Sequence, residues 1–303
     1  MAADSASTTR LLRPDVLASI GRLDLIARAV VEGFLAGLHS SPYRGISQEF
    51  AAHRPYIAGD EVRRVDWRVY ARTDRLYVKE FEEETNAPVR LLLDTSASLN
   101  YAPRRTSKLD YARYLAAALC YLAVRQNDRV GLACLNTEAS ERINARGGQR
   151  HLHTILAALE RVEAKGRTRL GPLILREAAE WKRRGLVLLI SDLYDQPEEI
   201  IEAAMRLRRI GHELIVFHLL DRAEKFMEHT GTREFRDLET GETLLVNTDA
   251  MRRSYLESIK EIGNLFRREF ARVGADYAEL DTSEPLDKAL AVYLLGRKAK
   301  GKR

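Results

Sequence analysis

Val89-Arg90-Leu91-Leu92-Leu93-Asp94-Thr95-Ser96-Ala97-Ser98 is the stretch on which the fold turns. A short, nearly continuous apolar run reads as a strand buried on both faces, and this one stops abruptly on a carboxylate followed by hydroxyls. Residues 129–135, 185–190 and 213–219 have the same character. Segments with apolar residues at helical spacing lie between them, over 108–125, 151–162, 170–182 and 197–210. Strands and helices alternate, apart from two successive helices before Gly185. This pattern predicts an α/β fold, a doubly wound and mostly parallel sheet. The helix over 108–125 begins at Ser107, a good N-cap, with Asp110 three positions on in place of the Glu of a capping box.

On the carboxyl side, 232–247 reads as a hairpin near the sheet edge, turning at Glu239-Thr240-Gly241-Glu242. A helix over 251–273, a strand over 276–280 and a helix over 284–295 follow. On the amino side, one amphipathic helix is expected from Pro14-Asp15 to about Gly37, with Leu17, Ile20, Leu23, Leu25, Ile26, Ala29 and Val30 along its apolar stripe. Residues 45–84 are dense in Arg, Asp, Glu and aromatics, with a strand-like piece at 76–81, and read as a small β-rich elaboration. The expected division is therefore a tail and helix over 1–44, the elaboration over 45–87, the main domain over 88–296 and a basic tail over 297–303.

Composition narrows the function. The 303 residues are 45% hydrophobic, and a net charge of +5 from 49 basic and 44 acidic residues is a small excess among many interspersed charges, which argues against nucleic-acid binding. Arg22, Asp24, Arg28 and Glu32 interrupt the most apolar N-terminal stretch, so no membrane span is expected there. Residues 1–10 offer no signal peptide, and the expectation is a cytoplasmic protein. Cys120 and Cys134 each sit in an apolar run and read as small core residues in a reducing compartment. His151 and His153 do not have metal spacing and read as surface residues.

Open α/β sheets place ligands beyond the carboxyl ends of their strands, which is where Asp94-Thr95-Ser96-Ala97-Ser98 falls. Asp94, Ser96 and Ser98, at alternate positions, can aim one carboxylate and two hydroxyls at a common point and offer hard oxygen ligands to Mg²⁺ or Mn²⁺. Thr168, just before a helix, and Asp192, just after the strand over 185–190, are expected in loops at the same edge. Taken singly, Thr168 is as well explained by a helix cap and Asp192 by a turn.

Together these five residues resemble the metal-ion-dependent adhesion site of the von Willebrand factor A family, built from D-x-S-x-S, a distant Thr and a later Asp. The resemblance implies that Ser96 and Ser98 ligate the metal directly and Thr168 directly or through water. Asp94 and Asp192 would bind it or orient its waters, and a partner's carboxylate would complete the shell. Leu193 departs from the pattern, since many members have Gly after this Asp. The block Tyr56-Ile57-Ala58-Gly59-Asp60-Glu61-Val62-Arg63-Arg64-Val65-Asp66-Trp67, with Arg72 beyond it, resembles a bacterial family of unknown function often encoded beside MoxR-type AAA+ ATPases. That resemblance implies a MoxR-type ATPase as partner. By itself the block reads as an ion-paired structural layer, or as a docking surface.

The function expected is a metal-dependent, adhesion-type interaction module that engages an acidic protein client. It is not an enzyme: no catalytic or organic-cofactor-binding residues are assigned, and the chain has no G-x-x-x-x-G-K-[ST] phosphate loop. The alternative is a metal-dependent phosphohydrolase of haloacid-dehalogenase-like type, with Asp94 as nucleophile. That chemistry needs a second Asp two positions on, where this chain has Ser96.

Overall fold

In the computed structural model, which describes residues 13–40, 53–55, 70, 77–79, 87–137 and 141–298, the amphipathic N-terminal segment is two helices rather than one. Helix α1 (Pro14–Leu17) ends before Gly21, whose φ of +74° is left-handed and cannot continue a helix, and α2 (Leu23–Ser40) begins two residues later. The break re-aims the apolar stripe. Leu23, Ile26, Ala27, Val30, Val31 and Phe34 are buried, whereas Ile20 and Leu25 are 37% and 44% exposed. Beyond this lie two short antiparallel strands, β1 (His53–Pro55) and β2 (Tyr77–Lys79), paired through Arg54 and Val78. The Tyr56 to Trp67 block lies outside the described residues.

Among the described residues the main sheet has six strands: β3 (Val89–Asp94), β4 (Val130–Leu135), β5 (Arg142–Arg146), β6 (Leu186–Ser191), β7 (Glu213–Leu220) and, after a hairpin, β10 (Asp276–Asp281). Their spatial order is β10-β7-β6-β3-β4-β5, all parallel except β5, which runs antiparallel to β4. From β3 the chain winds outward to β4 and β5. From β6 it winds the other way, to β7 and β10. The sheet is thus doubly wound as expected, and its topological switch point falls between β3 and β6.

Helices α3 (Lys108–Arg125), α4 (Gln149–Arg161), α5 (Leu170–Ala179), α6 (Pro197–Arg209), α7 (Arg222–Phe226), α8 (Thr248–Arg272) and α9 (Asp287–Lys298) complete the fold. The two faces of the sheet carry separate apolar layers, and the pleat assigns alternate residues to them. Leu91 and Leu93 join α2, α3, α4 and α9 on one face; Leu92 joins α5, α6 and α8 on the other. Helix α2 therefore belongs to the same core as the sheet. The expected capping box forms at α3, with Ser107 Oγ accepting from the Asp110 amide at 3.0 Å and Asp110 Oδ2 accepting from the Ser107 amide at 3.2 Å. Cys120 and Cys134 are buried and free.

Some expectations need correcting. Strand β5 and helix α7 were not anticipated. The expected hairpin is present as β8 (Thr232–Arg236) and β9 (Thr243–Asn247), which pair antiparallel in a two-stranded sheet of their own. His151 is only half-exposed, its Nε2 2.8 Å from the Val130 carbonyl. Among the described residues no helix is long and apolar enough to cross a membrane.

Candidate functional site

Asp94 ends β3, and Ser191 ends β6, the neighbouring strand across the switch point. Both are buried because the strands carry them into the crevice between the helical layers. Ser191 Oγ donates to Asp94 Oδ2 at 2.6 Å, Thr168 Oγ1 to Asp94 Oδ1 at 3.3 Å, and the Ser96 amide to Asp94 Oδ1 at 2.9 Å. Ser96 Oγ and Ser98 Oγ lie 2.8 Å apart. Four of the five sequence-derived residues, Asp94, Ser96, Ser98 and Thr168, thus form one hydrogen-bonded cluster. Asp192 makes no hydrogen bond to it, but its negative charge acts on Asp94. Burial first, and the charge of Asp192 second, push the Asp94 carboxyl up to about 7.

The loop carrying Thr168 is tied to the loop after β3. The Lys165 amide donates to the Thr95 carbonyl at 3.0 Å, and the Ala97 amide to the Gly166 carbonyl at 2.9 Å, with Gly166 at a φ of +64° to allow the turn. Asn136, just past β4, donates from Nδ2 to the Lys165 carbonyl at 2.8 Å. Asp195 accepts from the Leu170 amide at 2.6 Å, anchoring the start of α5 to the loop that follows Asp192. Three loops are thereby held in register by groups that the sequence reading did not assign.

Asp192 faces a cation instead. Lys108 Nζ donates to Asp192 Oδ2 and to Glu224 Oε1, each at 2.8 Å, and its side chain is 0% exposed. Burial opposes the charge on this lysine, but Asp192 and then Glu224 outweigh it, so its pKa is raised and it stays an ammonium. Its ammonium also lies 4.7 Å from the centre of the Tyr194 ring. One signal for Lys108 existed in the sequence: it is the first residue of a helix, where the positive end of the dipole disfavours a cation. Leu193 takes a left-handed φ of +54°, the conformation for which Gly is best suited, while its side chain is buried.

The candidate ligands are all hard oxygens: two buried carboxylates, the hydroxyls of Ser96, Ser98 and Thr168, and that of Ser191, with the Lys108 ammonium against one of the carboxylates. Such a donor set fits Mg²⁺ or Mn²⁺. Asp94, Ser96, Thr168 and Asp192 are buried, so access runs past the half-exposed Ser98. Among the described residues no group of three or more His, Cys, Asp or Glu could hold a metal, so any ion here would depend on hydroxyl ligands.

Fold and site together define a doubly wound α/β protein with a hydroxyl-rich acidic crevice at its switch point. The chain belongs to the family described as "Protein of unknown function DUF58", whose model matches residues 52–264. It is 31% identical over 233 residues to an uncharacterized protein of Mycobacterium tuberculosis and to one of Mycobacterium bovis, covering 75% of this chain and 72% of each relative. Similar solved structures include BatB from Bacteroides thetaiotaomicron, at a TM-score of 0.47 and 19% identity over 71% of this chain and 99% of that one. Another is the VWA domain of SpRpn10, at a TM-score of 0.43 and 10% identity over 68% and 93% of the two chains.

Proposed function

We propose that this protein is a metal-dependent interaction module: Asp94, Ser96, Ser98 and Thr168, with Asp192, hold Mg²⁺ or Mn²⁺, and a carboxylate of an acidic protein client completes the shell. The reading rests above all on one observation, the Asp94–Thr168–Ser191 hydrogen bonds that bring three separate loops to one carboxylate at the switch point. When bound, the ion supplies a Lewis-acidic anchor for an incoming carboxylate. The chain itself orients the oxygens and excludes bulk water, since only Ser98 is half-exposed.

Hydrolysis is the weaker reading. Both Asp94 oxygens already accept hydrogen bonds, and position 96 carries a hydroxyl where the phosphohydrolase chemistry needs a carboxylic acid. As an interaction module the protein works as the partner of a MoxR-type AAA+ ATPase, which supplies the nucleotide hydrolysis for which this sequence has no phosphate loop.

Calorimetric titration of Mg²⁺ or Mn²⁺ into the full chain and into Ser98→Ala and Asp94→Ala variants tests the metal site. Binding by the natural chain that is lost in both folded variants is the expected result; equal affinity in all three would sink the reading. Pull-downs of a MoxR-type ATPase with and without EDTA test the partnership.

A further inference from the structure

Lys108 is the feature that the five-residue reading leaves over. Its ammonium is wholly buried, 2.8 Å from Asp192 and 2.8 Å from Glu224. It projects from the first residue of α3, where the helix dipole opposes a positive charge, so the two carboxylates hold it there against local preference. Glu224 is itself fixed, since its other oxygen accepts from the Asp221 amide at 2.9 Å in the capping box of α7. The lysine therefore joins a candidate metal ligand to an element on the far side of the crevice.

We infer that Lys108 is the site's built-in counter-ion and sets how tightly a divalent cation binds. The inference rests on the metal-site reading above. Asp192 is the shared resource: an ion held by Asp94, Ser96, Ser98 and Thr168 must draw on the same carboxylate that the ammonium occupies. Lys108 neutralises that carboxylate and repels a second cation. Glu224 acts in the opposite sense, because it draws the ammonium partly off Asp192 and adds negative charge of its own. Lys108 thus makes the site a weak one by design, and Glu224 restores part of its affinity.

The two residues make one ion pair, so a merely structural role predicts that breaking it from either side has the same effect. A counter-ion role predicts opposite effects. Calorimetric titration of Mg²⁺ into the full chain is compared for the natural protein, Lys108→Met and Glu224→Gln, with circular dichroism to establish folding. Lys108→Met should tighten Mg²⁺ binding by about tenfold or more, and Glu224→Gln should weaken it by a comparable factor. Shifts in the same direction, or no shift in either variant, overturn the inference while leaving the metal site standing if the natural chain binds. If the natural chain shows no binding and Lys108→Met gains it, the inference holds; if neither binds, the metal-site reading falls as well. Should Lys108→Met fail to fold, Lys108→Gln takes its place beside Glu224→Gln, and shifts that are not opposite in sign overturn the inference.

Discussion

Leu193 meets two demands at once. A left-handed backbone costs a non-glycine residue about 1–2 kcal/mol, while losing a buried leucine side chain costs about 2–5 kcal/mol. At 3% exposure, packed in the layer that contains α5 and α6, the side chain's burial outweighs the strain of its backbone. Leu193→Gly should therefore destabilise the fold by about 1–3 kcal/mol despite relieving the backbone, as urea unfolding would measure. The departure from Gly was visible in the sequence, and the conformation found there is the one that Gly adopts freely. His218 offers a pH test. Burial foremost lowers its pKa from 6.5 to about 4, against the favourable charges of Asp192 and Glu279. The folded state thus holds it neutral, and its contribution, present above pH 6.5, is lost as pH falls toward 4. That amounts to roughly 3 kcal/mol, and His218→Gln should flatten the slope of stability against pH over this window. Residues such as Lys108 and Asn136 escaped the sequence reading for a physical reason. Their partners lie far away in the chain, 84 residues for Lys108 and Asp192 and 29 for Asn136 and Lys165, and no local pattern encodes such pairs.

Elements buried on both faces were legible because their apolar runs have no polar side to dilute them. β3, β4, β6 and β7 are nearly all buried, and each was expected within a residue or so. β5 was missed for the converse reason: Arg142, Asn144 and Arg146 are exposed and only Ile143 and Ala145 turn partly inward. α7 is too short for helical spacing to show and depends on the Asp221 cap. The helix that breaks at Gly21 carried an apolar stripe on either side, which read as continuous. Close packing of α5 against α6 gives a test at this scale. A Cβ on Gly171 would lie 2.6 Å from the Glu199 carbonyl oxygen, so Gly171→Ala must push the two helices apart. Destabilisation of about 1–3 kcal/mol is expected, together with weaker metal binding, because Thr168 sits in the loop that enters α5. Thermal unfolding and Mg²⁺ titration of the one variant check both.

Across the whole molecule, the N-terminal helix is part of the main core rather than an appendage. Val30 is fully buried beside α3, whereas Ile20, given equal weight in the sequence stripe, is 37% exposed. Val30→Asp should cost more than about 3 kcal/mol and Ile20→Asp less than about 0.5 kcal/mol, a contrast that chemical denaturation can read. A bound ion present at 100 times its dissociation constant stabilises by about 2.7 kcal/mol. Adding Mg²⁺ to EDTA-treated protein should therefore raise the melting temperature by roughly 3–5 °C, and leave a Ser96→Ala, Ser98→Ala double variant unchanged.

Strand β5, the antiparallel one, closes one side of the sheet. Beyond it the ladder has no further strand among the described residues, so its open amides and carbonyls could template another chain. Arg142 and Arg146 stand at its two ends, and Glu177 grips Arg142 through Nε at 2.7 Å and Nη2 at 3.0 Å. The strand that a hydrophobicity reading passes over thus carries charge along an open edge, a colloidal safeguard beside β3, β4, β6 and β7, which are among the most apolar segments of the chain.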